Sequence, residues 1–491
     1  MTRFVQEFPD GLPVGDEWLP SPSTDEVRFP YDGTVVARAP VGDASLAARA
    51  VEAALAARRT VGRMPSHVRR SALLAAHAVI DTRREDFAKL LVLETGKPLV
   101  DCRIEVDRTL LTLHTAAEEV ARLHGETVPL DLLPSGEGLL GFWLRRPIGV
   151  VVGIAGFNYP LLLAAHKIAP ALAAGCPVIV KPAPQTPLAT LWLVHLVRES
   201  LAAAGGPRAA AQLVTGGPEV GMALTTDRRI GAVSFTGSAA VGHKIARDAA
   251  PTKVLLELGS NAALIVAGDA DLDAAADAVV RGGYYASGQA CISVQRVVVV
   301  DSVREEFLSR LSATMAEVVV GDPRDPATRV SALIDDQSTK RVQAWLEQAV
   351  EAGARVVWGG GGSNGVIEPT VLLDVPSGQP AWEDEVFGPV VAVRSVPDVE
   401  TAFDVVNDSR YGLHASVFTD ALETAFAAID RLEVGGVVVN EVPGFRSDVM
   451  PYGGVKDSGA GREGPRFAID ELTVTRMAVI RPRTRKGGTR T

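Results

Sequence analysis

Cys291 stands in Ser287-Gly288-Gln289-Ala290-Cys291-Ile292, just after a predicted helix. Its small neighbours leave room for a substrate, and a thiol is the best common side-chain nucleophile for a carbonyl carbon. A lone cysteine is more often a small buried hydrophobe. The other two fit that description better. Cys102 follows Asp101, which disfavours a thiolate, and Cys176 lies in the apolar run AAGCPVIV. Glu257 ends the apolar run KVLLELG. There it is either a solvent-facing strand end or, if partly buried, a carboxyl raised into the range of a usable base. Asn158, in GIAGFNYP, is either a turn residue or an amide placed to donate to an oxyanion. Lys181 follows the strand-like PVIV, where open α/β sheets bind ligands, although a surface lysine in a Pro-rich turn reads the same way. Gly237-Ser238-Ala-Ala-Val-Gly242 follows AVSFT at a strand-to-helix junction, where backbone N–H groups can meet a phosphate. It is not the GxGxxG dinucleotide fingerprint, and Gly-Ser turns are common in α/β proteins.

These residues need a scaffold, and the chain is long enough for one. Its 491 residues exceed a single ordinary core, so two or three domains are expected. A composition of 47% apolar and 22% charged residues is that of a folded globular chain. The net charge of −10 gives no basic surface for nucleic acid or anionic membrane, and no nucleic-acid or membrane partner is expected. Three cysteines make no disulfide framework and lack zinc-site spacing, which points to a reducing cytoplasm and no metal. MTRFVQEFPDG has acids where a signal peptide needs an apolar core, and the apolar stretch 161–180 contains His166, Lys167 and two prolines. A cytoplasmic location is the expectation.

Residues 43–62 have helical spacing with Asp43 as N-cap, and further helix is expected from 66 to about 123, broken near Thr95-Gly96-Lys97-Pro98. Two β-prone runs flank Pro134–Gly138 as a hairpin. From Ile148, strands and helices alternate, which implies doubly wound parallel sheets. GGGGSNG at 359–365 reads as a flexible turn or loop. The basic residues near the C-terminus read as a solvated tail.

Taken together and in order, GFNYP, KPAPQTPL, FTGSAAVG, LLELGSNAA, GQACISVQRV, EDEVFGPV and PYGGVKDSGAGREG resemble the aldehyde dehydrogenase superfamily along nearly the whole chain. The GQAC and ELG segments, and the separation of Glu257 from Cys291, are the most specific. The resemblance is to the branch of lactaldehyde, phosphonoacetaldehyde and non-phosphorylating glyceraldehyde-3-phosphate dehydrogenases. It implies an α/β fold of two doubly wound parallel-sheet domains plus a β-hairpin oligomerisation arm. The corresponding division is 1–123 with 148–258 for an NAD(P)-binding domain, 259–467 for a catalytic domain, 124–147 with 468–484 for the arm, and 485–491 for a basic tail. A homodimer or homotetramer follows from it.

The resemblance also assigns roles. Cys291 attacks a small-molecule aldehyde, Asn158 and the Cys291 backbone N–H hold the oxyanion, and Glu257 activates water to hydrolyse the thioester. Lys181 holds the adenosine ribose of NAD or NADP, Gly237 and Ser238 lie near the pyrophosphate, and Glu385 and Phe387 position the nicotinamide ribose and ring. Pro184 replaces the glutamate of many NAD-preferring relatives and so removes the group that repels a 2′-phosphate. His166, Tyr159 and Arg446 fall at substrate-pocket positions, and an arginine fork suits a carboxylate, phosphate or phosphonate. The expected substrate is therefore a small, polar, anionic aldehyde, against the alternative that Arg446 pairs with Asp448 or another acid. Two other functions fit the same fold. A CoA-acylating semialdehyde dehydrogenase usually lacks the glutamate found at 257. A non-catalytic structural relative would not need Cys291, Glu257, Asn158 and Lys181 together.

Overall fold

The computed structural model describes residues 7–363 and 365–482. The basic tail expected over 485–491 lies outside the described residues. A six-stranded sheet begins with Val150–Ile154. Val178–Lys181 and Ala211–Leu213 add on one side of it, and Ile230–Thr236 and Lys253–Glu257 on the other, all parallel. The build direction therefore reverses beside Val150–Ile154. In an open α/β sheet such a reversal opens a crevice at the strands' carboxyl ends. The register aligns Ile154 with Lys181, and Thr236 with Glu257, along that edge. Gly459–Ala460, from within the expected 259–467 segment, closes the sheet antiparallel to Leu256 and Glu257.

A second, seven-stranded sheet runs in the order 355–358, 370–373, 390–396, 296–300, 263–266, 414–418 and 436–439. Every neighbouring pair is parallel except at the Arg355–Trp358 edge. The central strands VVVGI, ALIV and RVVVV are buried along their whole length, as continuous apolar runs covered on both faces should be. A third, antiparallel sheet joins Glu126–Val128, Leu140–Pro147 and Thr473–Ile480. The hairpin expected before 147 is thus extended by a strand from the far end of the chain.

Local signals held where they had a mechanism. The Asp43 carboxylate caps the helix Ala44–Gly62 by accepting from Leu46 N–H. Gly96, at φ 72°, ends the helix Arg84–Thr95, and Leu99–Glu119 starts after Pro98. The glycine run at 359–365 contains Gly362–Ser363, paired with Val366–Ile367 as a short hairpin.

Candidate active site

A cavity of about 630 Å³ lies between the two large sheets, and it gathers most of the residues singled out above. Asn158, Tyr159, His166, Gly237, Ser238, Glu257, Cys291, Glu385, Phe387 and Arg446 all line its wall. Lys181 and Pro184 lie outside that wall, along the same sheet edge; Lys181 is buried and Pro184 exposed.

Cys291 follows a strained turn in which Ala286 and Ser287 have φ of 49° and 56°. Such backbone is costly and persists only where surroundings hold it. Here Asp101 accepts from Ala286 N–H at 2.9 Å, and the Ser287 hydroxyl accepts from Ser331 N–H at 2.9 Å. The Cys291 thiol is part-buried and lies 3.3 Å from the Tyr452 hydroxyl. Burial pushes its pKa up to about 12, partly offset by the Tyr452 hydrogen bond. The other two thiols are wholly buried, and burial raises both as well, Cys176 to about 11; what sets Cys291 apart is that it alone of the three lines the cavity.

The Asn158 side-chain amide donates to the Gln289 carbonyl at 2.9 Å. Behind it, Lys97 Nζ donates to the Asn158 carbonyl at 2.7 Å and lies over the Tyr159 ring, 3.6 Å from its centroid. Glu105 pairs with Lys97 and accepts from Leu161 and Leu162 N–H at 2.9 and 3.1 Å, fixing the start of the helix Pro160–Ala174. Glu257 is buried and its Oε2 has no hydrogen-bond partner. Burial, and then the neighbouring Glu463 carboxylate, hold its pKa well above the usual carboxylate range. A carboxylate so raised binds a proton more strongly, as a general base must.

Beside these groups is a buried set of charges. Asp448 accepts a bidentate pair from Arg108 at 2.9 and 3.0 Å and lies 3.1 Å from His166 Nε2. Lys167 Nζ donates to Glu463 at 2.5 Å and to Thr236 at 2.6 Å. Arg446 reaches Asp448 at 3.3 Å and Glu463 at 3.2 Å, with its guanidinium 3.7 Å from the centre of the Tyr452 ring. The acid pairing weighed for Arg446 is therefore present, with two carboxylates, while Arg446 also faces the cavity. Asp448 is already matched by Arg108, and Glu463 by Lys167. Arg446 is thus a third arginine or lysine beside these two paired carboxylates. Arg108, Lys167, Tyr452 and Glu463 were not singled out from the sequence. Asp101, Glu105 and Arg108, at helical spacing on one face of Leu99–Glu119, were the available signal.

The features suited to a dinucleotide are also present. Ser238 begins the helix Ala239–Ala249 with no side-chain cap, so its first N–H groups are left for a phosphate. Lys181 is buried and donates to the Pro182 carbonyl at 3.3 Å, and burial lowers its pKa to about 8. Such an ammonium suits a ribose hydroxyl or phosphate oxygen. Glu385 accepts from Ser260 N–H at 2.9 Å, and burial raises its carboxyl to about 7. A Cβ on Gly259 would stand 2.4 Å from Glu385 Oε2, so only glycine leaves room for that carboxylate. Phe387, at φ 49°, packs edge-on against Phe157 with centroids 5.7 Å apart. The Gln295 side chain accepts from Val386 N–H at 2.9 Å and donates to the Asp384 carbonyl at 2.5 Å, joining this loop to the strand after Cys291. The residues present fit NAD or NADP.

Among the described residues, no group of side chains could hold a metal ion and no helix is long and apolar enough to cross a membrane.

The sequence profile of the aldehyde dehydrogenase family matches residues 18–478. A 3-sulfolactaldehyde dehydrogenase of Priestia aryabhattai is 39% identical, over 98% of this chain and 100% of that protein. An aldehyde dehydrogenase from Physcomitrella patens, solved in complex with the reaction product succinate, has a TM-score of 0.92 at 36% identity, covering 96% of this chain and 98% of its own. The glyceraldehyde-3-phosphate dehydrogenase GapN from Methanocaldococcus jannaschii, complexed with NADP, has a TM-score of 0.90 at 33% identity, covering 94% and 100%.

Proposed function

The chain belongs to the aldehyde dehydrogenase family, and from that premise we propose that it oxidises a small anionic aldehyde to its carboxylic acid with NAD or NADP. The observation that carries this reading is the convergence of Cys291, Asn158 and Glu257 on one cavity, with Arg446 in its wall.

NAD or NADP, when bound, supplies the hydride acceptor; Lys181, Gly237, Ser238, Glu385 and Phe387 would hold it. Ionised Cys291 adds to the aldehyde carbon and forms a C–S bond. The second N–H of the Asn158 amide and the Cys291 backbone N–H hold the resulting oxyanion. That oxyanion makes the adduct a far better hydride donor than the free aldehyde. Loss of hydride leaves a thioester on Sγ. Ionised Glu257 takes a proton from water, the water oxygen adds to the thioester carbon, and the C–S bond breaks with its electron pair returning to Sγ.

The substrate's remote anion belongs near Arg446, with Arg108, His166 and Tyr159 around it. The names of two relatives support an anionic compound: one acts on sulfolactaldehyde and one was solved with succinate. Pro184 offers no carboxylate against a 2′-phosphate, which leaves NADP acceptable. We assign the antiparallel sheet of 126–128, 140–147 and 473–480 to self-association, because Val474, Met477, Val479 and Ile480 are exposed on its outer strand. An exposed apolar edge strand calls for a partner.

The test is absorbance at 340 nm with purified protein, NAD and NADP in parallel, and an aldehyde panel. The panel sets neutral aldehydes, lactaldehyde among them, against succinic semialdehyde, glyceraldehyde 3-phosphate, phosphonoacetaldehyde and 3-sulfolactaldehyde. A large preference for an anionic member is expected. Equal turnover of neutral aldehydes would overturn the anion site and leave the dehydrogenase standing. Acceleration by CoA, with a CoA thioester as product, would favour the acylating alternative.

A further inference from the structure

Resting on the reading of Cys291 as the nucleophile, we propose that Tyr452 is a further catalytic residue, its phenol hydroxyl donating a hydrogen bond to the Cys291 sulfur whenever that sulfur carries negative charge. Tyr452 Oη lies 3.3 Å from Sγ, and Sγ is the only hydrogen-bond partner of that hydroxyl among the described residues. The ring is buried and held on several sides. The Arg446 guanidinium covers it at 3.7 Å from its centre, and His414 meets it edge-on at a centroid distance of 5.0 Å. The Tyr452 backbone is bonded in both directions to Glu463, at 3.2 and 2.7 Å. The hydroxyl therefore has little freedom to turn elsewhere.

The phenol keeps its proton, because burial and the neighbouring sulfur raise it well above the usual tyrosine range. It is thus a donor throughout the working pH. The sulfur is anionic twice in the reaction. It carries charge before attack, and again when the C–S bond of the hydrolysing thioester breaks and returns its electron pair to Sγ. In both states the Tyr452 proton stays on oxygen and is shared with sulfur. Glu257, Glu385 and Tyr285 also face Cys291, and each disfavours a negative charge nearby when ionised. Arg446 and Tyr452 are the groups that favour the thiolate. A phenylalanine at 452 would keep the ring contacts and offer no donor.

The test compares Tyr452→Phe with the unsubstituted enzyme. Both are alkylated with iodoacetamide across a range of pH, and the labelled Cys291 peptide is quantified by mass spectrometry. Loss of one charge-assisted hydrogen bond should move the labelling profile upward by about one pH unit and slow labelling about tenfold at neutral pH. The high-pH labelling rate and the melting temperature should not change. An unmoved profile would overturn the role of Tyr452 and leave Cys291 as nucleophile. Failure of Cys291 to label at any pH in the unsubstituted enzyme would overturn the Cys291 reading, and this inference with it.

Discussion

The Gln289 carbonyl accepts from the Asn158 amide at 2.9 Å, so the loop carrying Cys291, the proposed nucleophile, is tied directly to the side chain proposed to hold the oxyanion. The tie uses one of the two amide N–H groups and sets the direction of the other. Asn158→Ala should therefore remove an oxyanion donor and loosen the Cys291 loop together. The expected loss in kcat is about 10²–10³-fold. Substrate KM should change much less, which steady-state kinetics on the preferred aldehyde would show. Loss confined to KM would place Asn158 outside the oxyanion site.

Glu257 sets a pH dependence whose sign follows from its surroundings. Burial and Glu463 raise its pKa, and only the ionised form can take a proton from water. Thioester hydrolysis should therefore rise with pH through that raised pKa. Glu257→Gln should give a burst of reduced nicotinamide with little turnover after it, because hydride loss precedes hydrolysis. The same shift has a stability consequence. A carboxyl whose pKa is raised in the folded state stabilises that state below its unfolded pKa, and the contribution is lost as pH rises through the folded value. Glu257→Gln should flatten that decline in a series of urea melts across pH. An enzyme with unchanged turnover after this substitution would exclude Glu257 as the base.

The residues proposed for the chemistry stood out in the sequence because each sits at a strand end or glycine turn with a recognisable neighbourhood. Glu257 and Lys181 are the last residues of their strands, and Gly237 begins the turn after the next. The residues that hold them in place were not legible. Asp101, Glu105 and Arg108 look like the solvated face of an ordinary helix. Their side chains instead reach Ala286 in the Cys291 loop, Leu161 and Leu162 after Asn158, and Asp448 near the cavity. One helix face thus braces three separate loops. Helical spacing showed that the three share a face, but not which loops would fold against it. Glu463 and Tyr452 were hidden for a similar reason. Gly459–Ala460 returns to the first sheet only in three dimensions, and this return carries both residues beside Glu257.

Arg446 pairs with two carboxylates and still faces the cavity, so its substitution has two separable effects. Arg446→Ala leaves Asp448 and Glu463 with Arg108, His166 and Lys167, and should lower the melting temperature by removing a buried partner. The informative quantity is the ratio of kcat/KM for an anionic aldehyde to that for a neutral one of similar size. It should fall about 10–100-fold, the worth of a charged hydrogen bond. Arg446→Lys keeps the charge without the planar fork and should fall between the two. If the ratio is constant while both values drop, Arg446 serves only to hold Asp448 and Glu463.

On the proposed cofactor placement, Pro184 stands where a side chain would bear on which nucleotide is accepted. It is exposed, three residues beyond the buried Lys181 in the same turn, so a longer side chain there meets no packed neighbour. Pro184→Glu places a carboxylate close to where a 2′-phosphate would lie, with Lys181 as the nearby cation. Like charges in that position should cost NADP binding and leave NAD free to hydrogen-bond through its 2′-hydroxyl. We expect kcat/KM for NADP to fall about 10–100-fold and that for NAD to change by less than about threefold, a penalty in the range of one unfavourable charge contact. High salt should narrow the gap, because the contact lies near the surface and is screened. Measuring both cofactors at low and high ionic strength separates this effect from a general loss of fold, which would lower the two together. Equal losses at both ionic strengths would place the 2′-position away from residue 184.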